Sequence, residues 1–252
     1  MQDFITLIDQ YWLLLLVGQY PHGPLGGLAN TLILSSLSIL LAFPLAILLA
    51  FARLSPLRLL AWPATALVYV TRGVPLLILV LWSYFLIPQL TGADVPSFLT
   101  MLVTLVIYQS AFLSEIVRAG IVALGRNQMD AARALGYGYF GAMRYVILPQ
   151  ALYNMIPSML STFVATIKDT TLGYVINVPD LTFAANQINN QVLTQPFQVF
   201  LLLASVYYVL CWSLTWLTNR IERRITRRRA GLQAPRLAGA PLPFSAKASE
   251  QP

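Results

Sequence analysis

Five apolar runs, each long enough to cross a bilayer, begin near Leu28, Leu59, Phe98, Ala151 and Phe197. A spanning helix needs about 20 predominantly apolar residues. The runs therefore predict an all-α integral membrane protein with five transmembrane helices. Composition agrees, since 10% of the 252 residues are charged, against about 25% in an ordinary soluble domain. The first run, LANTLILSSLSILLAFPLAILLAF, carries no charge. Its Pro44 is tolerable because neighbouring helices re-satisfy the freed backbone groups.

Orientation follows from where the 16 basic residues fall. Arg53 and Arg58 follow the first run, and Arg118, Arg126, Arg133 and Arg144 follow the third. Arg220, Arg223, Arg224, Arg227, Arg228, Arg229, Arg236 and Lys247 follow the fifth, whereas the connections after the second and fourth hold only Lys168. Basic residues concentrate in cytoplasmic loops, which places the N-terminus outside and the C-terminus in the cytoplasm. The net charge of +7 then requires no nucleic-acid partner. RIERRITRRR reads as a stop-transfer anchor with some attraction to anionic membrane lipids.

Three parts result. Residues 1–24 form an N-terminal interfacial segment, with Tyr11, Trp12 and Tyr20 suited to the headgroup level. It opens with acids and lacks a cationic start, so it is not read as a cleaved signal. Residues 25–222 form the transmembrane domain, with a cytoplasmic loop at about 122–149. Residues 223–252 form a basic and then disordered tail, since the chain beyond Gly231 is rich in Pro, Ala and Ser.

Several chemistries lack their residues. Nucleophilic catalysis needs a base within hydrogen-bond reach, and the single histidine, His22, lies in the YPHGPLGG turn outside the first run. Ser35, Ser36, Ser38, Ser158 and Ser161 have spacings that suit close helix packing. One Cys, one His and no acidic cluster provide no metal-ligand set, and Cys211 inside the fifth run reads as packing. No GxxxxGK[ST] loop occurs. Any ATP must be hydrolysed by another chain.

A charge inside a bilayer is expensive and marks a functional candidate. Arg72 lies in the second run, where Gly73 and Pro75 weaken the helix and can free carbonyls toward a cavity. It either attracts a carboxylate in that cavity or is a structural residue bonded to carbonyls or a neighbouring acid. Glu115 and Arg118 are three apart on one helix face, the spacing of a structural ion pair near the cytoplasmic interface. Lys168 and Asp169 end the fourth run, with Thr170 and Thr171 following. Opposite charges and hydroxyls at a helix end suit a zwitterionic solute, and they equally suit an interfacial salt bridge.

The loop between the third and fourth runs, NQMDAARALGYGYFGAMRYVILPQ, is longer than a turn requires. Asn127 can cap a helix whose third residue, Asp130, favours the positive end of the dipole, and the helix is expected to stop at Gly136. A second short helix places Phe140, Met143 and Ile147 on one face while Arg144 points elsewhere. Pro149 suits the first turn of the next span. Such a helix-turn-helix is held against something.

These residues resemble a known family, the permease subunits of bacterial ABC importers for polar amino acids. Their cytoplasmic loop carries E-A-A, then Gly after three residues, then I-x-L-P. Here stand Asp130, Ala131, Ala132, Gly136 and then Ile147, Leu148, Pro149, with Asp in place of the usual Glu. GLANTL at Gly27 to Leu32, RGVPLL at Arg72 to Leu77, SEIVRAGI at Ser114 to Ile121 and KDTTL at Lys168 to Leu172 extend the match.

The resemblance implies a type I ABC importer permease fold in the bacterial inner membrane. It implies a coupling helix of Asp130, Ala131, Ala132, Arg133, Leu135 and Gly136 that sits in a groove of a separate ATPase. A second permease copy or a paralogue, two cytoplasmic ATPases and an external solute-binding protein would complete the importer. ATP and magnesium would then bind the ATPases and not this chain. The segment after Arg72 is similar to that of glutamate/aspartate permeases. The rival is a secondary carrier driven by an ion gradient, which expects inverted repeats and midplane acids.

Overall fold

The computed structural model of the chain describes residues 2–237. Its helices are α1 (Gln2–Val17), α2 (Gly27–Leu54), α3 (Arg58–Gly73), α4 (Leu76–Thr91), α5 (Ser97–Ala123), α6 (Gly125–Ala134), α7 (Tyr139–Ala142), α8 (Leu148–Asp169), α9 (Leu181–Val192) and α10 (Pro196–Leu237). A π-helical segment, Met143–Ile147, joins α7 to α8, and a 3-10 segment, Thr170–Ile176, follows α8. No strand is found among the described residues. The all-α expectation holds.

The centre of the molecule is the pair α2 and α5. Every fourth residue of α2 from Leu34, namely Ser38, Ala42, Ala46 and Ala50, is fully buried. Small side chains at that spacing let two backbones approach closely. Leu34 packs with Met101 and Leu105, Ala42 and Ala46 with Leu113, and Ala50 with Val117 and Ile121. Both sets of numbers rise together, so the two helices run in the same direction. Helix α8 runs the opposite way along α5, with Met155 against Gly120 at one end and Asp169 against Gln109 at the other. A Cβ on Gly120 would meet the Met155 sulfur at 2.0 Å, which accounts for glycine there.

Between α2 and α5 the chain must return. The second apolar run, expected as one spanning helix, is instead bent by 106° between α3 and α4. Pro75 is the cause, because the residue before a proline is pushed out of the helical region; Val74 is extended at φ −101°, ψ 133°. Three single helices, α2, α5 and the Pro196–Ile225 part of α10, are long and apolar enough to cross a membrane, and the bent pair makes up to a fourth. Helix α8 has the length, but Gln150, Asn154 and its hydroxyl residues lower its hydropathy.

One end is closed by a clamp. The Gly27 backbone has φ +60°, and a Cβ there would meet the Leu15 carbonyl at 2.3 Å. Asn30 Nδ2 donates to the Pro179 carbonyl at 3.1 Å, and the Leu181 N–H donates to Thr31 Oγ1 at 3.1 Å. Helix α1 closes over this end, packing Leu7 and Leu15 with α9 and α10 residues such as Ile188 and Val199. Asp180 caps α9 by accepting the Phe183 N–H at 2.7 Å, and it is fully buried. Burial pushes its carboxyl up to about 7. Helix α10 continues past Gly231 to Leu237, and the rest of the expected disordered tail, 238–252, lies outside the described residues.

Candidate functional site

At the other end of α5 the chain turns at Gly125, φ +72°, directly into α6. Helix α6 therefore begins before Asn127, which lies inside it and does not cap it; Leu124 is the cap residue and makes no side-chain bond. The turn at Gly136 is as expected. Its φ is +87°, its N–H donates to the Arg133 carbonyl at 2.9 Å, and the Tyr137 N–H donates to the Ala132 carbonyl at 3.2 Å. This pair of bonds is the Schellman arrangement that glycine favours.

The loop is pinned by few residues. Ala132 is buried and Met129 packs on the cluster formed by Met143, Ile147, Ala151 and Met155. Asp130, Ala131, Arg133, Leu135 and Gly136 are all exposed, with Leu135 at 79%. Phe140 does not share the buried face with Met143 and Ile147; it is 85% exposed. The π segment, closed by the Leu148 N–H on the Met143 carbonyl, resets the face to a spacing of four, and Tyr139 occupies the inner position instead. Arg144 points outward, as expected. The result is an exposed surface of mixed apolar and charged groups, in which Phe140 touches Tyr139 and Arg144 lies over the neighbouring Tyr145 ring.

Farther in, four charged residues converge from three helices. Arg53 Nη1 of α2 donates to Glu115 Oε2 at 2.5 Å. Arg118 donates to Glu115 Oε1 through Nη2 and, at 3.1 Å, through Nε, so the expected ion pair is present. Arg72 Nη1 lies 3.7 Å from Glu115 Oε2, and its guanidinium lies over the Phe112 ring at 5.2 Å. Three guanidiniums thus face one carboxylate. The Arg53 side chain is 5% exposed and its Nε has no acceptor, while Arg72 remains 35% exposed. A Cβ on Gly73 would touch nothing within 4 Å, so the space beside Arg72 is open. Pro75 makes the bend that ends α3 beside α5.

The same face of α5 continues through Phe112 to Tyr108, whose ring centroids are 4.7 Å apart. Next to Tyr108, Gln109 Nε2 donates to Asp169 Oδ2 at 2.9 Å. Lys168 and Asp169 do not meet. Consecutive helical residues point about 100° apart, and Lys168 is directed to α10, where it lines a cleft with Tyr207, Tyr208, Cys211 and Trp212. Thr170 is fully buried and bonds the Ile167 carbonyl, and Thr171 bonds the Lys168 carbonyl. Neither hydroxyl offers a free proton to a solute. The structure brings Arg72 and Glu115 together, and separates both from Lys168.

Two residues of this site escaped the sequence reading. Arg53 reads as a flanking charge because it follows an apolar run, yet it is the most buried member of the cluster. Gln109 was the one carboxamide in LVTLVIYQSAFL, a signal open to anyone asking what it bonds. A third feature is the outer face of α8, where Gln150, Asn154, Ser158, Ser161, Ala165 and Lys168 form one exposed stripe.

Comparison with known proteins gives the family. Residues 42–227 match the family described as binding-protein-dependent transport system inner membrane component. The chain is 33% identical over 202 residues to a probable glutamine ABC transporter permease protein of Bacillus subtilis, spanning 79% of this chain and 92% of that one. It is 32% identical over 207 residues to a glutamate/aspartate import permease protein of Escherichia coli, with 79% and 92% covered. A crystal structure of an amino acid ABC transporter superposes with a TM-score of 0.77 at 31% identity, covering 88% of this chain and 98% of that chain. A family match across most of the chain, at that identity and with the same fold, decides the assignment: the chain belongs to the inner membrane components of binding-protein-dependent transport systems, as an ABC permease subunit.

Proposed function

We propose that the chain is the transmembrane permease subunit of an ATP-driven importer of polar amino acids. The observation that carries this reading is the α6 surface, a helix closed by the Gly136 turn whose Asp130, Arg133 and Leu135 are presented outward with Phe140 beside them. A docked ATPase gives those apolar groups a partner, and the chain has no phosphate-binding loop of its own. ATP and magnesium belong to that ATPase. Two such ATPases, a second permease copy or paralogue, and an external solute-binding protein complete the assembly. The family assignment favours this over an ion-driven carrier.

The chain crosses the inner membrane five times, N-terminus outside, with α2, α5 and α10 running inward and the α3–α4 pair and α8 running outward. The domain limits 25–222 and 223–252 follow from that path. Helix α8 is more polar than the other spans because its exposed stripe faces the solute path and the second permease, since polar residues in a span turn to a water-filled cavity or a neighbour. The path runs along the Tyr108 and Phe112 face of α5, between Asp169 and the Arg72–Glu115 contact. Its members are Arg72, Gly73, Pro75, Glu115 and Asp169, with Thr170 and Thr171 shaping the backbone there; Lys168, directed to α10, stands outside it. An acidic amino acid is the first substrate to try, because the relatives include a glutamate/aspartate permease and the cluster at the inner end is positive.

The test is reconstitution of the chain with a candidate P-loop ATPase in proteoliposomes. Uptake of labelled glutamate, aspartate or glutamine should require both ATP and the ATPase. Uptake driven by an ion gradient without the ATPase would overturn the reading.

A further inference from the structure

A second cavity lies away from the proposed solute path. The last turns of α2, the α2–α3 connection and the α7–α8 junction border an open cavity of about 590 Å³ lined by Leu48, Phe51, Leu60, Met143, Leu148 and Arg144. That volume falls within the range of ordinary ligand pockets, about 300–1,000 Å³. The cavity is preformed, because the Tyr139 hydroxyl donates to the Leu54 carbonyl at 3.3 Å and ties α7 to the end of α2. Its lining is apolar apart from Ser55, the Tyr139 hydroxyl and Arg144.

We propose that this cavity binds an anionic glycerophospholipid, one acyl chain lying along Leu48, Phe51 and Leu60 and the phosphate meeting Arg144. An apolar lining gains dispersion contacts from a chain that fills it, and the apolar material available to a membrane protein is an acyl chain. Charge decides the headgroup. No acid lines the cavity, and Arg144 is engaged only by the neighbouring Tyr145 ring at 5.7 Å, an interaction that leaves its N–H donors free among the described residues. The orientation proposed above puts this end in the cytoplasmic leaflet, whose anionic lipids attract basic groups. The site involves none of the solute-path residues and stands whether or not the substrate reading does, but it shares Phe140 with the surface proposed to dock the ATPase.

The full-length chain, reconstituted in nanodiscs of equal phosphatidylglycerol and phosphatidylcholine and then released into detergent, should retain one tightly held lipid detectable by native mass spectrometry. Phosphatidylglycerol should be favoured about fivefold, the ratio given by about 1 kcal/mol per basic residue. Arg144→Gln should bring the two lipids to parity, and Leu48→Trp, which fills the cavity, should abolish retention of both. Size-exclusion profiles identify a variant that fails to fold, and Leu48→Phe then replaces it. Equal retention of both lipids by the wild type overturns the headgroup assignment. Normal retention by a folded cavity-filling variant, or loss of the lipid whenever the ATPase is bound, overturns the site.

Discussion

Helices α2 and α8 are both rich in small and hydroxyl residues, and they use them in opposite ways. Along α2, Ser38, Ala42, Ala46 and Ala50 are fully buried and let α5 come close, while Leu40 and Leu48 on the outer side are exposed. Along α8, Ser158, Ser161 and Ala165 face outward and Val164 and Ile167 face in. One helix spends its small residues within the chain. The other keeps them for a surface this chain does not cover. Serine and alanine in a span therefore signal close approach without saying to what, since lipid tails provide no hydrophobic drive and packing alone chooses the neighbour.

The largest effect should come from the end of α2. Glu115→Gln removes the carboxylate that compensates the buried Arg53 and should destabilise the chain by about 3 kcal/mol, the low end of the range for breaking a buried pair. Thermal melting of the detergent-solubilised protein measures it, and an unchanged midpoint would mean that water compensates Arg53 already. The other end of α2 holds the Asp180 clamp. Its folded pKa near 7 lies above the unfolded value of about 3.9. The folded state therefore keeps a proton that the unfolded state has lost, and stability should be full below pH 4 and decline as pH rises through 7. Asp180→Asn, which retains an oxygen to cap Phe183, should flatten that profile; a wild-type profile already flat from pH 5 to 8 would refute the assignment.

Smaller substitutions sharpen the contrast itself. Ala46→Leu overpacks the α2–α5 contact and should cost about 1–3 kcal/mol, seen as a lower melting point. The matching change on α8, Ser161→Leu, should alter the isolated chain by no more than about 0.5 kcal/mol and yet reduce pairing with the second permease and uptake. If Ser161→Leu destabilises the chain as much as Ala46→Leu does, the two helices are not used differently. Gly136→Val forces a side chain into a left-handed conformation, at roughly 1–2 kcal/mol, confined to the loop. Its main consequence should be weaker ATPase co-purification at near-normal melting temperature.

Much of the loop was legible in advance. Gly136 announced its turn because few other residues adopt positive φ without strain, and the Ala-rich run before it forms α6. The helix start was not legible. Asn127 carries a good capping side chain, but Gly125 turns the chain two residues earlier and leaves Asn127 inside the helix. Phe140 was misplaced because a period of 3.6 assumes an α-helix, and the π segment between Met143 and Ile147 changes the period locally. Lys168 and Asp169 looked like one site because they are adjacent in sequence. On a helix, adjacency separates side chains.

The sequence by itself determined that the chain is helical and membrane-embedded, where α6 ends, and, through the ordered motifs, its family. Each of these depends on local chemistry, such as run length and glycine at positive φ. Only the tertiary structure decided that Arg72 has Glu115 beside it, that Arg53 is buried, that Gln109 holds Asp169, and that α2 turns Ser35 and Ser38 inward while α8 turns Ser158 and Ser161 out. Those facts depend on which helices are neighbours and at what rotation. A hydrophobic pattern in a membrane chain does not fix that rotation, because lipid accepts nearly any apolar face and only the fit of one helix against another selects a single one.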